Sequence, residues 1–229
     1  MSTVVIHETM RRHFTSIAYW SYVALLTITA VGVSQFDRPG AMWPQLVTLL
    51  ALIIGCGPIG PEFSSGTLQL VLVKPVNRAA YLLSRVAGVV LSVWIAALFA
   101  FVGETAGRLI DGTVPWATLG LTLFNTAADT ILTVSLLTLL GSLTRAYFNL
   151  AIYFLVMIGI GILNGMLRTL GGIPDFVFQS LAVIERNLYP DVIQHFDRDW
   201  LLLVLSNAAV ALLVACFAFR NREVPYGAD

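Results

Sequence analysis

The sequence predicts an all-α integral membrane protein, one transmembrane domain over residues 1–229 with six spanning helices. Three observations lead there. Of the 229 residues, 58% are apolar and 11% charged, with mean hydropathy +0.84, whereas a water-soluble domain carries roughly 25% charged residues. Six apolar stretches approach or reach the length of roughly 17–25 residues that a bilayer crossing takes. The 13 basic and 13 acidic residues cancel, so no overall basic field points to nucleic acid.

The six expected spans are Ser16–Ser34, Ala41–Gly57, Val86–Val102, Trp116–Leu140, Ala146–Leu167 and Trp200–Phe219. Ahead of the first, Ile6, Met10, Phe14 and Ile17 recur at helical spacing, with His7, Glu8, Arg11 and Arg12 on other faces. That pattern suits a short helix lying in the membrane interface. The first run is long enough to span, and Val31–Gln35 lacks the small-residue cleavage site of a signal peptide. The second run is the shortest and ends in Gly55-Cys-Gly-Pro-Ile-Gly-Pro61, whose glycines and prolines stop a helix.

Orientation follows from the lysines and arginines. With six spans, the side holding both termini carries eight of them and the opposite side five, so both termini are expected in the cytoplasm. Trp43, Trp116 and Trp200 each start a span on the outer side, where indoles favour the headgroup zone. The outer connection 171–199 interleaves Phe176, Phe178, Leu181, Val183, Ile184 and other apolar residues with acids. It is expected to lie on or dip into the membrane as short helices.

Catalytic signatures are missing. His7, His13 and His195 are scattered, Cys56 and Cys216 sit within or beside apolar runs, and no cluster has metal-ligand spacing. There is no nucleophile elbow and no phosphate-binding loop. An energy source must therefore be a partner or an ion gradient. Asp129 is the one clear mid-span acid, with Asn125 one turn before it and Thr118, Thr122, Thr126 and Thr133 extending a polar stripe. Such a group faces the bundle interior or water. It can line a substrate path, respond to protons, or make an interhelical hydrogen bond. Glu104 and Arg108, one turn apart, read as an interfacial ion pair. Gly161-x-x-x-Gly165, with Gly159 before it, reads as close helix packing within the bundle, or as a subunit contact.

The cytoplasmic connection 58–85 is the most informative. Pro61 suits a first helical turn, where Glu62 complements the helix dipole. Leu68 and Leu72 give a short apolar stripe, and Lys74-Pro75 ends the segment. Asn77 can then cap a new helix running through Arg78 and Arg85 into the third span. The expected product is an amphipathic helix–turn–helix elbow joined to two spans, suited to a partner that grips it and moves both.

Glu62-x-x-x-Gly66-Thr67-Leu68, then Lys74-Pro75-Val76-x-Arg78, then Tyr81-Leu82-Leu83, resembles the ABC-2 type permease family, membrane subunits of ATP-binding-cassette exporters. The sharp match covers the segment 62–83, and the six-span layout extends it loosely over the chain. Gly55–Pro61 is richer in glycine and proline than the family's usual run at this point. The resemblance implies a complex of two permease copies, as homodimer or close paralogues, with two ABC ATPase subunits in a bacterial cytoplasmic (inner) membrane. This chain then holds no cofactor, and ATP with Mg belongs to the ATPase. The resemblance places Glu62, Gly66, Thr67, Leu68, Lys74, Pro75 and Arg78 against the ATPase as coupling residues, with Asn125 and Asp129 as possible pathway lining. Two other readings stay open: a mechanotransmitter acting on a periplasmic accessory protein, and an ATPase-independent secondary transporter or intramembrane enzyme using Asp129.

Overall fold

The computed structural model describes residues 2–34, 39–40, 42–56, 77–110, 112, 114–143, 149–170, 175–186 and 197–221. Among these there are eight helices and no strand. They are α1 (Thr3–Phe14), α2 (Ile17–Val33), α3 (Trp43–Gly55), α4 (Arg78–Ile110), α5 (Trp116–Leu143), α6 (Asn149–Leu170), α7 (Asp175–Arg186) and α8 (Arg198–Asn221). Each of the six apolar stretches forms a helix. Three of these, α4, α5 and α8, are long and apolar enough to cross a membrane, and a fourth crossing follows if α1 and α2 count as one bent span. α3 and the apolar part of α6 are shorter than a span needs, so the described residues give three to four candidate crossings where six were expected.

α4 is the central element. Its 33 residues extend about 50 Å at about 1.5 Å per residue, well beyond the expected Val86–Val102. Asn77 starts it, its Oδ1 accepting the backbone N–H of Ala79 at 3.0 Å and of Ala80 at 3.4 Å, as an N-cap side chain does. The main core gathers Val86, Val89, Val93 and Ala97 of α4 with Leu26 and Ala30 of α2, Val47 and Ala51 of α3, and Val134 of α5.

Close approaches fix the direction of each helix. Tyr19 Oη donates to the Ser92 carbonyl at 2.7 Å, and Gly107 abuts Ser34, so α2 runs parallel to α4. Trp43 reaches Glu104 while Ile54 and Val89 share a pocket wall, so α3 runs against α4. A Cβ on Gly40 would meet Thr122 at 2.8 Å, and one on Gly55 would meet Leu137 at 2.8 Å, so α3 and α5 run parallel. Tyr81 and Leu82 pack with Ala215 and Phe219, joining the start of α4 to the end of α8.

α1 meets α2 at 72°, as an interfacial helix feeding a crossing would. Trp20 Nε1 donates to the Phe14 carbonyl at 2.7 Å across this bend, and the rings of Phe14, Tyr19 and Trp20 meet in tilted and edge-on contacts. The apolar stripe expected to anchor α1 is only half followed. Ile6, Met10 and Phe14 are half-buried, Ile17 is exposed, and the residue buried deepest is Thr9. The reason is Gly88, which leaves room for Thr9 to seat α1 on α4; a Cβ there would lie 2.6 Å from Thr9.

The connection 171–199 contains one described helix, α7, which tucks Val183 among Ala128, Leu132, Trp200 and Val204. Residues 171–174 and 187–196 lie outside the described part. Much of α8 faces outward, with Leu202, Val210, Leu213 and Phe217 exposed. An apolar face of that extent suits lipid or another subunit.

Candidate functional site

Of the expected coupling residues, Glu62, Gly66, Thr67, Leu68, Lys74 and Pro75 lie outside the described residues. Arg78 is described and begins α4. Its Nη1 donates to the Arg220 carbonyl at 3.4 Å, on the last turn of α8. The end of the motif is therefore tied to two long helices at once, α4 by continuity and α8 by this bond and the Tyr81–Phe219 packing.

Asn125 and Asp129 fall on one buried face of α5, as their spacing required, with 6% and 7% of their surfaces exposed. Thr122, Thr126 and Thr133 share that face and are buried too. The hydroxyls of Thr122, Thr126, Thr130 and Thr133 donate to carbonyls one turn back, at 2.7–2.9 Å. Within this stripe, then, only the amide and the carboxylate have groups that must look beyond their own helix. Asn125 Nδ2 is buried with no hydrogen-bond partner among the described residues, as are Asn207 Nδ2 on α8 and Thr105 Oγ1. By the pairing of Gly40 with Thr122 and Gly55 with Leu137, Asp129 is level with the middle of α3.

The opposite face of α5 borders an apolar cavity of about 480 Å³ between α4, α5 and α8, walled by Trp94, Leu98, Leu123, Phe124, Ile131 and Leu205. Leu98, Phe124 and Leu205 are exposed at its mouth. One helix thus separates a buried polar stripe from an apolar hollow that opens sideways. Such a hollow accepts a hydrocarbon chain or an apolar ring and offers nothing to an ion.

Glu104 and Arg108 do pair, Nε to Oε1 at 2.9 Å, but as a buried clamp rather than an interfacial pair. Glu104 has no exposed surface. Its carboxylate also accepts the Gly40 backbone N–H at 2.9 and 3.1 Å and the Trp43 indole N–H at 2.7 Å. This corrects the reading of Trp43 as a headgroup anchor: its indole is fully buried because the carboxylate needs its donor. Trp200 is buried as well, against α5 and α7, and Trp116 alone of the three is exposed. Gly40 holds φ +71°, a conformation open to glycine, and so turns its N–H into the clamp.

Among the described residues, a Cβ on Gly159 or Gly165 meets nothing within 4 Å, so these two make none of the close helix packing expected of the Gly161-x-x-x-Gly165 stretch there. The close approach is made by Gly103 and Gly107 of α4, against Thr27 and against Val31 and Ser34 of α2. Gly103-x-x-x-Gly107 has the same small-residue spacing, and that spacing was the signal available for it.

Residues 40–224 match the family described as protein of unknown function, DUF2705. The chain belongs to that family. A stretch of 109 residues, 48% of this chain, is 28% identical to the uncharacterized protein YhcI of Bacillus subtilis (strain 168). The match covers 31% of that relative, so the chain spans about a third of its length.

Proposed function

We propose that this member of the DUF2705 family is the membrane subunit of an ATP-driven exporter of the ABC-2 type, worked by an ATPase on a separate chain. The observation that carries the reading is the run from Glu62 to Arg78 and its placement next to α4. The motif's final arginine is the first residue of a capped 33-residue helix and is bonded to the end of α8. A push delivered there is passed to two long helices without an intervening flexible joint. In this reading the chain crosses the cytoplasmic membrane six times with both termini inside. The opposed directions of α2 and α4 against α3, α5 and α8 support that layout. A second copy completes the path, and the open faces of Gly159 and Gly165 suit its approach. The apolar cavity favours an amphipathic or hydrophobic cargo over a small ion.

The test is reconstitution with an ABC ATPase that co-purifies with the chain. Hydrolysis by that ATPase should rise when wild-type chain is added in liposomes, and Glu62→Lys should abolish the rise while the two proteins still co-purify. Unchanged stimulation by Glu62→Lys would remove the coupling role. Substrate movement driven by an ion gradient, lost in Asp129→Asn and indifferent to any ATPase, would favour the secondary-transporter reading.

A further inference from the structure

The hollow between α4, α5 and α8 is drawn out along α5. That helix lines it over three turns, with Gly120, Leu123, Ala127 and Ile131, a stretch of about 16 Å at about 1.5 Å per residue. α4 and α8 each border it over about one turn, from Trp94 to Leu98 and from Leu201 to Leu205. Its walls carry small residues, Ala97, Gly120, Ala127 and Ala128. Elsewhere in the bundle a glycine lets a neighbour in: a Cβ on Gly55 would meet Leu137 at 2.8 Å, and one on Gly88 would meet Thr9 at 2.6 Å. Among the described residues, a Cβ on Gly120 would meet nothing within 4 Å. The gap on this side of α5 is therefore not closed by the helices that frame it.

The chemistry of the lining selects the occupant. Among the described lining residues the one polar side-chain atom is the Trp94 indole nitrogen, and its N–H is already donated to the Ala127 carbonyl at 3.2 Å. A water molecule settles in a cavity that offers roughly two to four polar partners, and these walls offer it none. A charged or hydrogen-bonding group would lose its hydration there without replacement. The three walls belong to the three helices that are each long and apolar enough to cross a membrane. Leu98 and Leu205, 49% and 40% exposed, stand at the mouth, so the opening faces the hydrocarbon of a bilayer. A slot of about 16 Å is about half of the roughly 30 Å hydrocarbon thickness, which is the reach of one acyl chain.

We infer that this hollow seats one hydrocarbon tail of a membrane amphiphile, which enters sideways past Leu98 and Leu205 and lies along α5 with its polar head left outside. Tail binding needs only the three helices, and it rests on the export reading solely for the step from binding to transport, where it names an alkyl-tailed molecule as the cargo class.

The experiment uses the full-length chain in phosphatidylcholine nanodiscs without any ATPase. Two photoactivatable probes are added in turn, palmitic acid with a mid-chain diazirine and phosphatidylcholine with the same group in one tail, and labelled residues are read by mass spectrometry. Wild type should be labelled saturably at Ala97 and Ala128, which are buried in the walls, whereas the exposed Leu213 and Phe217 of α8 should take label in proportion to the probe added. Gly120→Phe places a ring where there is space for it, so it should keep the wild-type unfolding transition and lose the saturable label. Ala127→Leu fills the same slot from its middle and should do likewise, which keeps the test decisive if either variant fails to fold. Saturable labelling by the fatty acid alone would assign the seat to a single-tailed amphiphile, and labelling by both probes would extend it to the tails of resident phospholipid. Wall labelling that only tracks the exposed positions, or that survives in both folded variants, would overturn the seat. Intact wall labelling without any ATPase stimulation would instead count against the export reading alone.

Discussion

α4 carries a buried charge near each end, and the two are treated in opposite ways. Glu104 is closed in: a guanidinium, an indole and a backbone amide occupy its oxygens, and no surface of it is exposed. Arg85 is held by two hydroxyls and a ring, and it forms one wall of a pocket. The first arrangement gives stability and leaves no room for a ligand. The second fastens α1 to α4, because the hydroxyl that holds Arg85 comes from Thr9. The first fastens α3 to α4 in the same way, through Gly40 and Trp43.

The contrast can be broken in order of expected effect. Glu104→Ala should be the most damaging, at about 3–5 kcal/mol, since removing one partner strands the other buried charge, and urea or detergent unfolding of the purified chain would measure it. A loss below about 1 kcal/mol would mean that the clamp is not what holds α3 to α4. Gly107→Leu should cost about 1–3 kcal/mol by forcing α2 off α4. Gly88→Leu should cost less in the same assay, because α1 is peripheral, although it displaces Thr9 from Arg85. Arg12→Gln should stay within about 0.5 kcal/mol of wild type, as exposed substitutions do.

The smallest effect concerns pH. Burial first, and then Arg85 and Arg12, hold the His13 pKa below its usual value. The unfolded chain therefore takes up this proton more readily than the folded one, and stability should fall as pH drops from 7 to 5. The fall should shrink in His13→Gln, read by unfolding of the purified chain at each pH.

Much of the architecture was legible because lipid imposes it. The apolar run Ser16–Ser34 became α2, Trp116–Leu140 became α5, and Asn77 capped α4 as its side chain required. The start of α4 at Arg78 was expected, and its far end was read too short because Glu104 looks like the limit of an apolar run. Arg85 and Glu104 both stay helical, since partners far away in sequence satisfy them: Thr9 for one, Gly40 and Trp43 for the other. No local pattern announces a pairing across 61 residues, which is why Trp43 read as a headgroup anchor. The same reason hid the Arg85–Thr9 contact, whose partners come from two helices. Asn125 and Asp129 were visible because spacing within one helix suffices to put them on one face.

The account rests on segment 57–77 being the cytosolic handle of α4. The direct measurement is cysteine accessibility of Ser64→Cys, in a chain with Cys56 and Cys216 replaced by serine, using membrane-impermeant maleimide on intact cells and on inverted vesicles. The expected result is labelling only in inverted vesicles, with protection when the ATPase is bound. Labelling of intact cells would contradict it, and the transporter proposal would fall with it.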